Sequence, residues 1–169
     1  MNIVDTQANE DKFVEFMEYV IGDEIYNMEY MINECAYNVD NVSRNGKTAL
    51  HIATRFSSQE TLGFLLSKVQ HANVIDDQGI SPLMRAAERG NVEMFCMVAE
   101  KIEESMYPIG LLSTIHVKRD GKTLLMMACA KPSMKNYRQS QNSTDLVELL
   151  IKAGFNPYTT DDNGRTALH

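Results

Sequence analysis

Apolar residues recur at helical spacing along most of the chain, and polar punctuation cuts the pattern into short units. Phe13, Val14, Met17, Val20 and Ile21 form one amphipathic stripe, and Ile25, Met28, Met31, Ile32 and Cys35 form a second after the break at Gly22-Asp23. The same spacing predicts helices carrying Leu62, Leu65, Leu66 and Val69, then Val92, Phe95, Cys96, Val98 and Ala99, then Leu146, Val147, Leu149, Leu150 and Ile151, with Gly154 as a C-terminal stop. Ahead of these lie shorter helical segments rich in small residues, Ala53, Ala86, Ala87, Ala128 and Cys129, which let neighbouring helices approach closely. The expectation is an all-α chain of paired helices.

The pairs are copies of one unit. Asn45-Gly46-Lys47-Thr48-Ala49-Leu50-His51-Ile52-Ala53 aligns with Gln78-Gly79-Ile80-Ser81-Pro82-Leu83-Met84-Arg85-Ala86-Ala87 and with Asp120-Gly121-Lys122-Thr123-Leu124-Leu125-Met126-Met127-Ala128. A fourth copy starts at Asn163-Gly164-Arg165-Thr166-Ala167-Leu168-His169. The marker glycines stand 33, 42 and 43 residues apart, so one unit has a basic length and two carry insertions. Each glycine follows a polar residue in a tight turn, and Thr48, Ser81, Thr123 and Thr166 are placed to cap the helix that follows. Pro82 fits a first helical position, and His51 and His169 lie three residues after their threonines, within reach of a bond back to the helix start.

A 33-residue period with this turn and helix start resembles the ankyrin repeat. The family's threonine-proline-leucine-histidine signature is only partly kept: Ala49, Leu124 and Ala167 replace the proline, and Met84 and Met126 replace the histidine. The resemblance implies an ankyrin-repeat solenoid of stacked helix-turn-helix units with hairpin-like turns between repeats. Residues 1–10 read as an N-terminal tail and 11–45 as a degenerate first repeat acting as a cap. Residues 46–78, 79–120 and 121–163 read as repeats, the last two with inserted loops at 103–118 and 131–144, and 164–169 as the start of a further repeat. The expectation is therefore a part of a longer protein.

Charge divides along the chain. Residues 1–40 carry ten carboxylates and the single cation Lys12, a net charge of −9, while the remainder is +2 within an overall −7. In the family the hairpin tips and the groove-facing side of each first helix usually contact partners, so the resemblance implies a site made from Lys47, Arg55, Phe56, Ile80, Arg85, Arg89, Lys122, Met127 and Lys131. These columns are mostly basic with apolar members, which points to another protein, and specifically an acidic segment of it, as partner. Whether the basic residues are a recognition surface or ordinary solvated side chains is left open by the sequence.

The chemistry of other classes is absent from the pattern. Four dispersed histidines show no metal-ligand spacing, no nucleophile elbow or phosphate-binding glycine loop occurs, and no cofactor motif is present, so neither catalysis, nor a metal, nor a cofactor is expected. Cys35, Cys96 and Cys129 are odd in number and fall in apolar patterns, as thiols buried like small hydrophobes would. With no apolar run long enough to span a bilayer and an acidic start lacking a signal pattern, an intracellular protein, cytoplasmic or nuclear, without membrane insertion is expected.

The leading reading is a protein–protein interaction module, regulatory or scaffolding. One particular version is a regulator like the NF-κB inhibitors, which the loop-bearing third repeat loosely resembles. The competing class is an anion- or nucleic-acid-sensing domain in which the basic columns cradle phosphates while Phe56 or Tyr137 stacks on a base. The negative net charge and the lack of tryptophan rank nucleic acid below protein.

Overall fold

The computed structural model of this 169-residue chain describes residues 3–104, 120–130 and 138–169. Among the described residues there are eight helices: α1 (Ile3–Ile21), α2 (Ile25–Asn33), α3 (Ala49–Phe56), α4 (Gln59–Lys68), α5 (Pro82–Arg89), α6 (Val92–Glu104), α7 (Leu124–Cys129) and α8 (Arg138–Lys152). They form two layers. In one, α1, α3, α5 and α7 pack side by side in chain order; in the other, α4, α6 and α8 do the same, each joined to its inner partner by a short turn or, for α8, across residues 131–137. This is the expected all-α stack of paired helices.

Small side chains make the inner layer possible. Ala49, Ala53, Ala86, Ala87 and Ala128 are all buried, so α3, α5 and α7 approach over backbone and methyl groups while Leu50, Leu83, Leu124 and Leu125 fill the space beneath them. The expected caps are also in place: the Ser81 hydroxyl accepts from the Met84 amide (3.3 Å) and the Thr123 hydroxyl from the Met126 amide (3.2 Å), with Pro82 in the first turn of α5. Met84 and Met126, which replace the signature histidine, are buried instead.

Where the histidine is kept it ties one repeat to the next. The Thr48 amide donates to His51 Nδ1 (3.0 Å), with the Thr48 hydroxyl 2.9 Å from the same nitrogen, and His51 Nε2 lies 2.9 Å from the carbonyl of Ile80 in the following hairpin. A carbonyl only accepts, so Nε2 carries the proton and Nδ1 is the acceptor, which assigns a neutral ring. Thr166 and His169 repeat the first half of this arrangement, with the Thr166 amide 3.1 Å from Nδ1.

The hairpins stack directly on one another. The Asp77 amide donates to the Asn45 carbonyl (3.1 Å), and the Asp162 amide to the Asp120 carbonyl (3.1 Å). Gly121 is needed for the second of these contacts. Its φ is +67°, and a Cβ there would press into the Asp162 carboxylate and stand 3.0 Å from the Asp162 amide nitrogen. The turns at Gly46, Gly79 and Gly164 are each closed by a short polar side chain three residues before the glycine. Asp76 accepts from the Gln78 and Ile80 amides (2.9 and 3.0 Å), Asp161 from the Asn163 and Arg165 amides (both 2.9 Å), and Ser43 from the Lys47 amide (2.9 Å).

Several boundaries differ from the sequence reading. α1 begins at Ile3, so residues 3–10 are its first turns and not a separate tail. Its buried stripe is Phe16, Met17 and Val20, with Phe16 stacked on Tyr37 at 4.3 Å between ring centroids, whereas Val14 and Ile21 are about half exposed at 56% and 50%. α8 begins at Arg138, inside the expected 131–144 loop, because the polar run Arg138–Thr144 extends the helix without adding an apolar stripe. Of the other expected insertion, residues 105–118 lie outside the described residues, as does 131–137. Cys35 and Cys96 are half-buried and Cys129 is exposed at the end of α7, so burial does not describe the third thiol.

Burial pushes the His51 pKa below its ordinary value of 6.5, and the bond to Ile80 only partly opposes that. The native state therefore takes up this proton at lower pH than the unfolded chain does. The contribution of neutral His51 is complete above 6.5 and is lost as pH falls from there through the depressed native value. Urea unfolding should show a lower midpoint at about pH 5.5 than at about pH 7.5, with the difference much reduced in His51→Gln. An identical midpoint at both pH values would contradict the buried neutral ring.

Candidate partner-binding face

The inner helices and the hairpin tips share one side of the stack, and the nine residues expected to bind there occupy different environments. Arg55 and Phe56 end α3 and are exposed, Phe56 at 53%. Lys47 and Ile80 sit half-buried at successive hairpins, Ile80 packed against the core. Lys122 is half-buried in the third hairpin, where its ammonium pairs with Asp120 at 2.8 Å. Met127 is buried at 7% and belongs to the core, not to the face. Lys131 lies outside the described residues.

Arg85 and Arg89 are built into the stack. The Arg85 side chain is only 14% exposed and reaches both Glu88 (3.0 Å) and the buried carboxylate of Asp76 (3.8 Å), the residue that closes its own repeat's turn. Asp76 Oδ2 has no hydrogen-bond partner, so the nearby guanidinium is what compensates its charge. Arg89 turns back on the preceding helix, donating from Nη1 to the carbonyls of Thr54 (3.3 Å) and Arg55 (2.6 Å). Those are last-turn carbonyls of α3, where a cation is favoured by the helix dipole and satisfies orphan acceptors.

The geometry therefore moves the exposed column along each helix. Ile52, Arg85 and Met127 occupy equivalent positions and are half-buried, half-buried and buried, because each inner helix is wedged between two neighbours. Three residues later stand Arg55, Glu88 and Ala130, all exposed. That column holds one cation, one carboxylate and one methyl group, so the outward strip of the inner helices is mixed in character and not basic.

The turn-closing residues Asp76 and Asp161 were absent from the sequence reading. Asp161 is 6% exposed, and bonds from the Arg165 backbone first, then the Asn163 backbone and the Arg165 guanidinium (3.0 Å), hold its carboxyl below the usual range. The signal was present: Ser43, Asp76 and Asp161 each precede a marker glycine by three residues. A cleft of about 480 Å³ lies between α7 and this fourth hairpin, with Glu88, Lys122, Cys129 and Arg165 among its walls.

The sequence matches two families described as ankyrin repeats, one of three copies over residues 16–108 and one of many copies over residues 125–169. It is 24% identical over 153 residues to a putative ankyrin repeat protein of Acanthamoeba polyphaga mimivirus, covering 88% of this chain and 20% of that protein. It is 28% identical over 163 residues to neurogenic locus notch homolog protein 1 of Danio rerio, covering 96% of this chain and 6% of that protein. The chain thus spans a fifth or less of the length of these relatives.

Arg85→Glu with Arg89→Glu should lower stability by about 2–4 kcal/mol, since the change removes the compensating charge from buried Asp76 and sets carboxylates against carbonyl oxygens. Denaturant unfolding of the double variant checks this. A midpoint equal to the wild type would mean that both arginines are free surface residues.

Proposed function

Because the chain belongs to the ankyrin-repeat family, a non-catalytic interaction fold, we propose that it binds a segment of another protein across its hairpin tips and inner-helix face. It would do so as a regulatory or scaffolding part of a longer protein. The observation that carries this reading is the half-exposed Phe56 beside Arg55 at the end of the inner helix α3. Interface energy concentrates in aromatic and arginine side chains, and of the exposed rings described, which include Tyr26, Tyr30 and Tyr158, Phe56 is the one on an inner helix with an arginine beside it. Lys47, at the hairpin that leads into α3, extends the proposed contact beyond the helix.

No described helix is long and apolar enough to cross a membrane. The reading as an anion or nucleic-acid sensor draws little support, because most of the cations it would need, Arg85, Arg89, Lys122 and Arg165, already have internal partners.

Peptides selected on the chain from a random library should lose at least about tenfold in affinity with Lys47→Glu/Arg55→Glu and little with Lys68→Glu/Lys152→Glu on the outer layer. The two double variants alter net charge equally, so general attraction is controlled. Calorimetric titration decides the matter, and equal losses in both variants would remove the inner face from the proposal.

A further inference from the structure

We infer that the partner is anchored on one rigid two-residue platform, Arg55 and Phe56, and that the segment it takes presents an apolar side chain beside a single carboxylate. This rests on the inner-face reading above and gives it a definite chemistry.

The first ground is the state of the cations. Arg85 is engaged by Asp76 and Glu88, Arg89 by two carbonyls, Lys122 by Asp120 and Arg165 by Asp161. A run of acidic residues laid along this face would have to displace those contacts. Arg55 is different, because its guanidinium lies over the Phe56 ring at 5.1 Å from the centroid. An aromatic ring neutralises no charge and supplies no acceptor oxygen, so the guanidinium keeps the charge and the donors with which it can take a carboxylate through two parallel bonds.

The second ground is rigidity. Residues 54–58 are held from both neighbouring repeats: Arg89 of α5 donates to the Thr54 and Arg55 carbonyls, the Ser57 hydroxyl donates to the Val20 carbonyl of α1 (2.6 Å), and the Asp23 carboxylate accepts the Ser58 amide (2.8 Å). The bond from Ser58 also holds the Asp23 carboxyl below its ordinary range. With the backbone fixed, a ligand that covers the pair has only two side chains to order, which favours binding without the need for a large area.

The third ground is the electrostatic setting. α3 packs against α1, and residues 1–40 carry a net −9, so the platform lies beside the most acidic part of the chain. A polyacidic segment would be repelled there, whereas one carboxylate paired to Arg55, next to an apolar group covering Phe56, is not.

A random-peptide phage library panned on the whole chain supplies the probe, and enriched peptides are synthesised and titrated against wild type and variants whose folding is checked by thermal melting. The enriched peptides should share an aliphatic or aromatic residue within a few positions of one Asp or Glu. Phe56→Ala should weaken them by about tenfold or more, with Phe56→Leu retaining most of the affinity. Arg55→Ala should cost about three- to tenfold, and removing the peptide's own carboxylate should cost the same, without adding to the loss in Arg55→Ala. Raising salt from about 0.05 M to about 0.5 M should change affinity by less than about tenfold.

Enrichment of polyacidic peptides with steep salt dependence, lost in Lys47→Ala/Lys122→Ala but indifferent to Phe56→Ala, would overturn the platform and leave the inner-face reading standing. Peptides indifferent to every inner-face variant, or no enrichment at all, would overturn both.

Discussion

The bond from His51 Nε2 to the Ile80 carbonyl fixes where one repeat sits on the next. One ring nitrogen holds the start of α3 through Thr48, and the other holds the following hairpin, so a single neutral imidazole sets both the helix entry and the step between units. The Asp77 to Asn45 backbone bond sits beside it and keeps the two turns in register. Such ties matter in a solenoid because each unit touches only its neighbours, and a slip at one junction is not corrected by contacts elsewhere. The buried alanines of α3, α5 and α7 then fit only at that spacing, since close-packed interiors do not deform gradually.

The same constraint decides what reaches the surface. Residues one turn into each inner helix, Ile52, Arg85 and Met127, are caught between neighbouring helices, and the outward strip falls on Arg55, Glu88 and Ala130. Arginines of α5 are used for stacking: Arg85 compensates the carboxylate that closes the second hairpin, and Arg89 caps the C-terminal end of α3. A face whose sequence looks basic is therefore largely neutralised from within. Outward on that strip, beside Glu88 and Ala130, stand Arg55 and Phe56, on a backbone held by its neighbours on either side.

The phase of the repeats was legible because turn glycine, capping hydroxyl and small-residue helix recur together, and each has a local physical cause that sequence alone exposes. The partners of the cations were not legible. Arg89 meets carbonyls about 35 residues earlier, and Arg85 meets Asp76 only because the hairpin folds over the helix start. Phe16 was missed because an apolar run with Phe13, Val14 and Ile21 offers two adjacent stripes, and only the packing of Tyr37 against one of them selects it. The extension of α8 through Arg138–Thr144 escaped notice for the opposite reason, having no apolar periodicity to read. Asp76 and Asp161 could have been found from their fixed offset to the marker glycines.

The junction between the first two hairpins depends on the protonation of one ring, which nitrogen NMR of the imidazole reads directly. In the isotopically labelled chain at neutral pH, His51 should show a protonated Nε2 and an unprotonated Nδ1, with the Nε2 proton slow to exchange because it is buried against the Ile80 carbonyl. A neutral His51 protonated at Nδ1 would remove the donor to the Ile80 carbonyl, a charged ring would remove the acceptor for the Thr48 amide, and exchange as fast as in a solvent-exposed ring would deny the burial, so any of the three would contradict the account.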